Sequence, residues 1–528
     1  MTSETESVRA GLARTYYRGE VNDTGERRTA LGILLFAIIS GCVLMIPTLT
    51  AGPLVLDEYG TFWIMGHDNP LTMWQRSLDY ENIPPLSPAL RSVSCYLLGQ
   101  NEVAFRLPSV LWYLASIPAA WWLGRQLLGV VPGSLCALIT AWHPLAIGEV
   151  RIARCYSLSY FLAGLMFAVT VAWTLRPECK RFALLWVTCA VGLVWSHYLN
   201  AGVVILSLAI LIWELRVESW TSRGLLLAVS AIFTASLVPL WRPLLRMSIW
   251  GESFSYQDDS PILEIISSFW WAGLPAGLLT GWLFNKLLRR SKDRQLRHSS
   301  PMFRSLFLWG LMPTVVVAFL CHGDLASLAN PRYRIGVQIA SAGLMAALLS
   351  HRRNVRSSVI AVVVMLAVSW GTQDRLPWET KRLGTVQAAQ WKRCANYIQE
   401  HGVALEPIYV QSGLGESFLI PQMFDDDVLL DYAGCRMGRF YIQTPHPRIG
   451  LPFLWDKEPE MVASYAARLK EQKEHGPKHL WVASAVDTDL NQISLEGFQK
   501  ILAASGFELV ETIQEPTVVL LKYAAVED

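Results

Sequence analysis

Long apolar runs separated by short polar blocks set the frame of this chain. Residues 29–51 are apolar for long enough to cross a bilayer, and further runs follow at 104–124, 127–147, 156–175, 182–198, 200–215, 222–241, 262–284, 304–321, 335–350 and 357–371. A helix of about 20 apolar residues matches the roughly 30 Å hydrocarbon core. The pattern therefore predicts an α-helical polytopic membrane protein with about eleven spans and room for up to thirteen. Pro132, Pro144, Pro239 and Pro275 interrupt several runs, which membrane helices tolerate where neighbouring groups satisfy the freed backbone.

After 372 the pattern changes. Helix-like stretches at 387–401, 457–475 and 494–505 alternate with strand-like 407–410, 479–482 and 518–521, which predicts a small α/β domain. The expected organisation is a polar tail at 1–28, a transmembrane domain at 29–371 with a first outer loop at 50–103, and the α/β domain at 372–528. The last holds neither a Gly-rich phosphate loop nor a nucleophile elbow. Its expected roles are acceptor recognition, covering the membrane site, or stabilisation.

Composition agrees with the pattern: 52% of residues are hydrophobic and 17% charged, too apolar for an ordinary soluble protein. A net charge of +2, spread in short blocks, gives no reason to expect nucleic acid. No signal-peptide cleavage site follows the first run, which is long enough to stay in the membrane. With eleven spans, Arg27-Arg28, Arg125, Arg176/Lys180/Arg181, Arg216/Arg223, the 286–304 block and 351–356 fall on one side. By the positive-inside rule that side, with the N-terminus, is cytoplasmic. The loops at 50–103, 148–156, 242–261 and 322–334 and everything after 372 then lie outside. The nine cysteines show no metal-ligand spacing; Cys394 and Cys435 sit in the polar C-terminal region, where a disulfide is left open.

The outer side carries the candidate chemistry. Asp57 and Glu58 follow the first span, where carboxylates are costly unless solvated or paired; the plainer reading is that they cap a helix. Three arginine pairs run against the charge rule at span ends: Arg151/Arg154, Arg242/Arg246 and Arg332/Arg334. Any one pair can snorkel to headgroups, but three on the side of an acidic pair suit a lipid phosphate, which Arg binds through bidentate, charge-assisted bonds. The 50–103 loop alternates Trp and Tyr with charge, as interfacial helices do, and ends in Pro84-Pro85. His197 closes an outer span end and suits a phosphate, a sugar hydroxyl or a packing role. Asp258-Asp259 reads as a solvated pair.

Taken in order, the acidic pair, the Pro-Pro turn, Glu102-Val103-Ala104-Phe105-Arg106-Leu107-Pro108-Ser109, Gly124-Arg125-Gln126-Leu127, Arg151–Tyr156, Ser196-His197-Tyr198 and Pro331-Arg332-Tyr333 resemble the GT-C glycosyltransferases, specifically the protein O-mannosyltransferase and lipid A aminoarabinose transferase group. The resemblance covers roughly 29–350. One departure stands at the Pro-Pro turn, where Ile83 precedes and Ser87 follows in place of the His or Lys and the Tyr common in relatives.

The resemblance implies an inverting hexosyl- or pentosyltransferase, mannosyltransferase-like in family. It would move a sugar from a polyprenyl-phosphate donor to a hydroxyl of a lipid, glycan or protein acceptor at the extracytoplasmic face. Asp57 would be the catalytic base, with Glu58 orienting the acceptor or holding an arginine. Arg154, Arg332 and Arg334, then Arg151 and Arg246, would bind the donor phosphate, with His197, Tyr156 and Tyr333 beside them. No cofactor is required, and a divalent cation bridging Asp57 and the phosphate is the one metal left open. Short loops favour a bacterial inner membrane. The rival class is a transporter or flippase, which should show internal repeats and charge near the midplane; here the charge gathers at one interface.

Overall fold

The computed structural model describes residues 24–65, 69–80, 83–215, 218–241, 282, 286, 305, 308–310, 331–350, 354–373, 385–412, 424–435, 439–442, 446–455 and 459–526. The chain forms two compact units, and their division does not follow linear order. One holds Met1–Thr50, Ile83–Gly251 and Ser255–Thr380; the other holds Ala51–Asn82, Glu252–Phe254 and Lys381–Asp528. The first part of the 50–103 loop thus belongs with the C-terminal domain.

The first unit is helical. Its elements are α1 (Thr24–Met45, continued by a 3-10 turn to Thr50), α4 (Leu86–Leu98), α5 (Glu102–Leu128), α6 (Val130–Ala141), α7 (Pro144–Val150), α8 (Tyr156–Leu175), α9 (Lys180–Ser196), α10 (Ala201–Leu215), α11 (Trp220–Leu237), α12 (Gln338–Leu349) and α13 (Val355–Gly371). Among the described residues five helical stretches are long and apolar enough to cross a membrane, or six if the bent pair α6–α7 is one span. Two of the expected runs, 262–284 and 304–321, lie almost wholly outside the described residues, as do Arg242, Arg246 and Asp258-Asp259. The run read as one span at 127–147 is broken: α6 and α7 meet at 51°, because Pro144 has no N–H to continue the helix. α5, α6, α8 and α12 pack together around Tyr113, Ile117, Leu135, Ile139, Phe167 and Ile339, none of them more than 1% exposed.

The second unit opens with α2 (Leu56–Met65) and α3 (Pro70–Asp79) and continues with the α/β fold. That fold comprises α14 (Thr385–His401), β1 (Ile408–Gln411), α15 (Asp427–Cys435), β2 (Arg448–Gly450), α16 (Pro459–His475), β3 (His479–Ala485), α17 (Asp489–Ala504), β4 (Phe507–Gln514) and β5 (Val518–Ala525). The five strands run in the order β2-β1-β3-β5-β4. β1 is parallel to β2 and β3, whereas β5 is antiparallel to both β3 and β4. β3 reads HLWVASA and is buried along nearly its whole length, the signature of a central strand covered on both faces. Tyr409, Val482, Leu521, Phe498 and Tyr465 fill the core. Cys394 is a free, buried thiol; the side chain of Cys435 lies outside the described residues.

Candidate functional site

The broken span delivers the first arginine turn. His143 caps α7 by accepting from the Ala146 N–H at 3.4 Å, and the carbonyls freed at the break are taken by aromatic donors. Tyr160 Oη donates to Thr140 O at 3.3 Å, Trp370 Nε1 to Trp142 O at 3.0 Å, and Tyr113 Oη to Ala141 O. Satisfying these carbonyls makes a break between packed helices stable. α7 then ends at Val150, and residues 151–155 turn the chain into α8.

That turn is clamped from below. Arg91 on α4 is fully buried and donates to Phe105 O at 2.8 Å, Ser109 Oγ at 2.7 Å and Arg154 O at 2.5 Å. Ser109 Oγ also donates to Ile152 O at 3.4 Å. A guanidinium offers five donors in a fixed fork, so one side chain ties three segments together.

The 3-10 turn Pro331–Val337 brings the second basic pair. It lies on α8 at Gly336, where an added Cβ would come 3.3 Å from Ala163 Cβ, and α12 continues that contact at Gly164, where a Cβ would fall 2.5 Å from Ile339 Cδ1. These two small residues set how closely Arg332 and Tyr333 approach α8. The guanidinium of Arg332 lies 5.2 Å from the Tyr333 ring centroid and donates to its hydroxyl at 3.4 Å. His197 sits between Tyr156 and Tyr333, with ring centroids 6.2 and 5.5 Å away. Its Nδ1 accepts from the Leu199 N–H at 3.3 Å, so the neutral ring carries its proton on Nε2. The charges of Arg154 and Arg332 both act on Tyr156 and on His197.

Five of the residues singled out in the sequence therefore converge: Arg154, Tyr156, His197, Arg332 and Tyr333. Arg151 lies near Tyr113, and Arg334 is 5% exposed with its carbonyl accepting from Gln338 Nε2. Arg246 lies outside the described residues. Arg91 was not singled out, and the only sequence signal for it is a single charge in an otherwise apolar helical stretch.

Asp57 and Glu58 belong to the second unit, in the first turn of α2. The two carboxylates divide their work. Glu58 is fully buried, and its Oε2 accepts from the Val55 N–H at 3.1 Å, which is the helix-capping reading. Asp57 is half-buried and accepts from Thr61 Oγ1 at 3.4 Å through its main-chain carbonyl.

α2 itself is anchored on the α/β domain. Phe62 packs edge-on to Phe440 with centroids 4.9 Å apart, and Trp63 on Tyr432 at 5.1 Å. Trp63 Nε1 donates to Asp431 at 2.7 Å, and the Leu54 N–H to Tyr441 Oη at 3.0 Å. Trp63 is thus a fully buried anchor rather than part of an interfacial belt, because its N–H finds a carboxylate. Among the described residues, no group of three or more His, Cys, Asp or Glu side chains is placed to hold a metal ion.

No protein-family model and no curated protein sequence matches the chain. The structure aligns with the Archaeoglobus fulgidus oligosaccharyltransferase tethered to an acceptor peptide, with a TM-score of 0.50 and 10% identity over 94% of this chain and 74% of that one. The fold is that of the GT-C glycosyltransferases. Two other GT-C proteins align with lower TM-scores. ArnT from Cupriavidus metallidurans bound to undecaprenyl phosphate gives 0.41, at 13% identity over 93% of this chain and 97% of that one. The mycobacterial arabinofuranosyltransferase AftD gives 0.44, at 13% identity over 95% and 40%. In this chain the basic-aromatic cluster lies in the helical unit and the acidic helix in the other.

Proposed function

We propose that this protein is an inverting glycosyltransferase that moves a sugar from a polyprenyl-phosphate-linked donor to an acceptor hydroxyl at the extracytoplasmic face of a membrane. The observation that supports this most is the pairing of Arg154 and Arg332 around His197 and two tyrosines on a GT-C fold. In the reaction the acceptor oxygen attacks the anomeric carbon as Asp57 takes its proton. The bond from that carbon to the phosphate oxygen breaks, and the electron pair leaves with the polyprenyl phosphate. Arg154 and Arg332 stabilise the charge that develops there. Nε2–H of His197 donates to the phosphate or to a sugar hydroxyl, Tyr156 and Tyr333 frame the guanidinium groups, and Arg334, Arg151 and Arg246 add positive charge. Glu58 holds the helix start that presents Asp57. A bacterial inner membrane with a cytoplasmic N-terminus is the proposed setting, and no cation is assigned a role.

The test is transfer by purified protein in nanodiscs, given a panel of radiolabelled hexosyl and pentosyl polyprenyl phosphates and a membrane extract as acceptor. Label in a new product establishes the reaction and names the donor. No transfer from any donor by folded protein, with flux of labelled donor in sealed vesicles, would replace this reading with transport.

A further inference from the structure

α15 presents one carboxylate, Asp431, to three hydrogen-bond donors and a further arginine. Trp63 Nε1 reaches it at 2.7 Å from α2 and Arg76 at 3.4 Å from α3. Arg439 pairs with the same oxygen, and Arg448 on β2 stands 3.8 Å from the other. Arg76 also donates to the main-chain carbonyl of Trp63 at 3.0 Å, and its guanidinium lies 3.9 Å over the Trp63 ring. All four charged side chains are 9–14% exposed. Burial drops the Arg76 guanidinium to about 10, against the pull of Asp431, and the neighbouring Arg439 and Arg448 add to the drop. Arg76 thus stays charged at neutral pH, and Asp431 is the shared counter-charge of three mutually repelling arginines.

α2 is only ten residues long, and a helix of that length has little stability of its own. Among its fixed points are the aromatic contacts, the Leu54 to Tyr441 hydrogen bond and this carboxylate. We propose that Asp431 is a positioning residue for the transfer reaction: it locks Trp63 and, through the turn and a half of helix between them, the orientation of Asp57. This inference rests on Asp57 being the base. It gives the C-terminal domain a part in catalysis, that of the platform on which the acidic helix is built.

The test uses the full-length protein in nanodiscs, comparing wild type with Asp431→Asn, which keeps the shape and the Trp63 acceptor and removes the charge. Trp63→Phe, which removes the indole N–H together with part of the ring, is the second variant should Asp431→Asn fail to fold. Hydrogen exchange is read over peptides spanning 56–65, β3 and β5, and transfer is read as kcat and donor KM. The expected result is about tenfold or more faster exchange in 56–65 with β3 and β5 unchanged. It is accompanied by a kcat lowered about tenfold or more and a donor KM within about twofold of wild type, with Asp431→Glu recovering part of both. Unchanged exchange in 56–65, a rise spread over the whole sheet, or normal kcat despite a loosened α2 would each overturn the proposal. A wild type that transfers no sugar counts against the transferase reading itself, while the exchange data still decide the anchor.

Discussion

Arg91 donates to the main-chain carbonyl of Arg154 at 2.5 Å, across 63 positions of sequence. One buried guanidinium thereby fixes the backbone of the turn from which a candidate phosphate ligand projects. Arg91→Ala leaves three acceptors short of a charged donor and should cost about 2–4 kcal/mol. Arg91→Lys keeps the charge but not the fork, and should lower donor affinity more than it lowers stability. Thermal unfolding in detergent and donor titration of both variants separate the two effects.

Arg154 and Arg332 act on the same two neighbours, Tyr156 and His197. Each →Ala change should weaken binding of a polyprenyl phosphate by about 1.5–3 kcal/mol. Their double variant should lose less than the sum, since both would contact one group. Donor affinities of the four proteins check this, and unchanged affinity in both single variants returns these arginines to the snorkelling reading.

Gly434 on α15 meets β2 backbone to backbone. An added Cβ would overlap Gly450 and come 2.9 Å from Val410 O, so Gly434→Ala must push the helix off the sheet. The cost should be about 1–3 kcal/mol or more, visible as faster hydrogen exchange in β1 and β2 with the membrane helices unaffected.

Cys394 is 2% exposed, and burial pushes its thiol up to about 12. Only the thiolate reacts, so at neutral pH maleimide should modify this residue at least about 100-fold more slowly in folded protein than in denatured protein. Rapid labelling of the native state, followed by peptide mapping, would contradict the buried position.

The apolar helical frame was legible because a bilayer demands long apolar runs, although among the described residues only five or six stretches are long and apolar enough to span one; Arg154 and Arg332 stood out as charge against such runs. The helices at 387–401, 457–475 and 494–505 recur as Thr385–His401, Pro459–His475 and Asp489–Ala504, since each has an amphipathic period. β2 is three residues long and β4 is largely exposed, so neither gives a strong apolar alternation. α15 was missed too: its role depends on Trp63, 368 positions away, and no local pattern encodes that pairing. The same holds for the joining of 51–82 to the C-terminal domain. The division between Asp57 and Glu58 was half visible: capping was foreseen, but which carboxylate caps depends on the turn at Val55.

The most direct measurement compares wild type with Asp57→Asn for transfer of label from polyprenyl-phosphate sugars in nanodiscs, alongside donor binding. Asp57→Asn keeps the side chain's shape and removes the base. The account predicts donor binding within about twofold of wild type and transfer lowered by about 100-fold or more. Normal transfer by Asp57→Asn would contradict it.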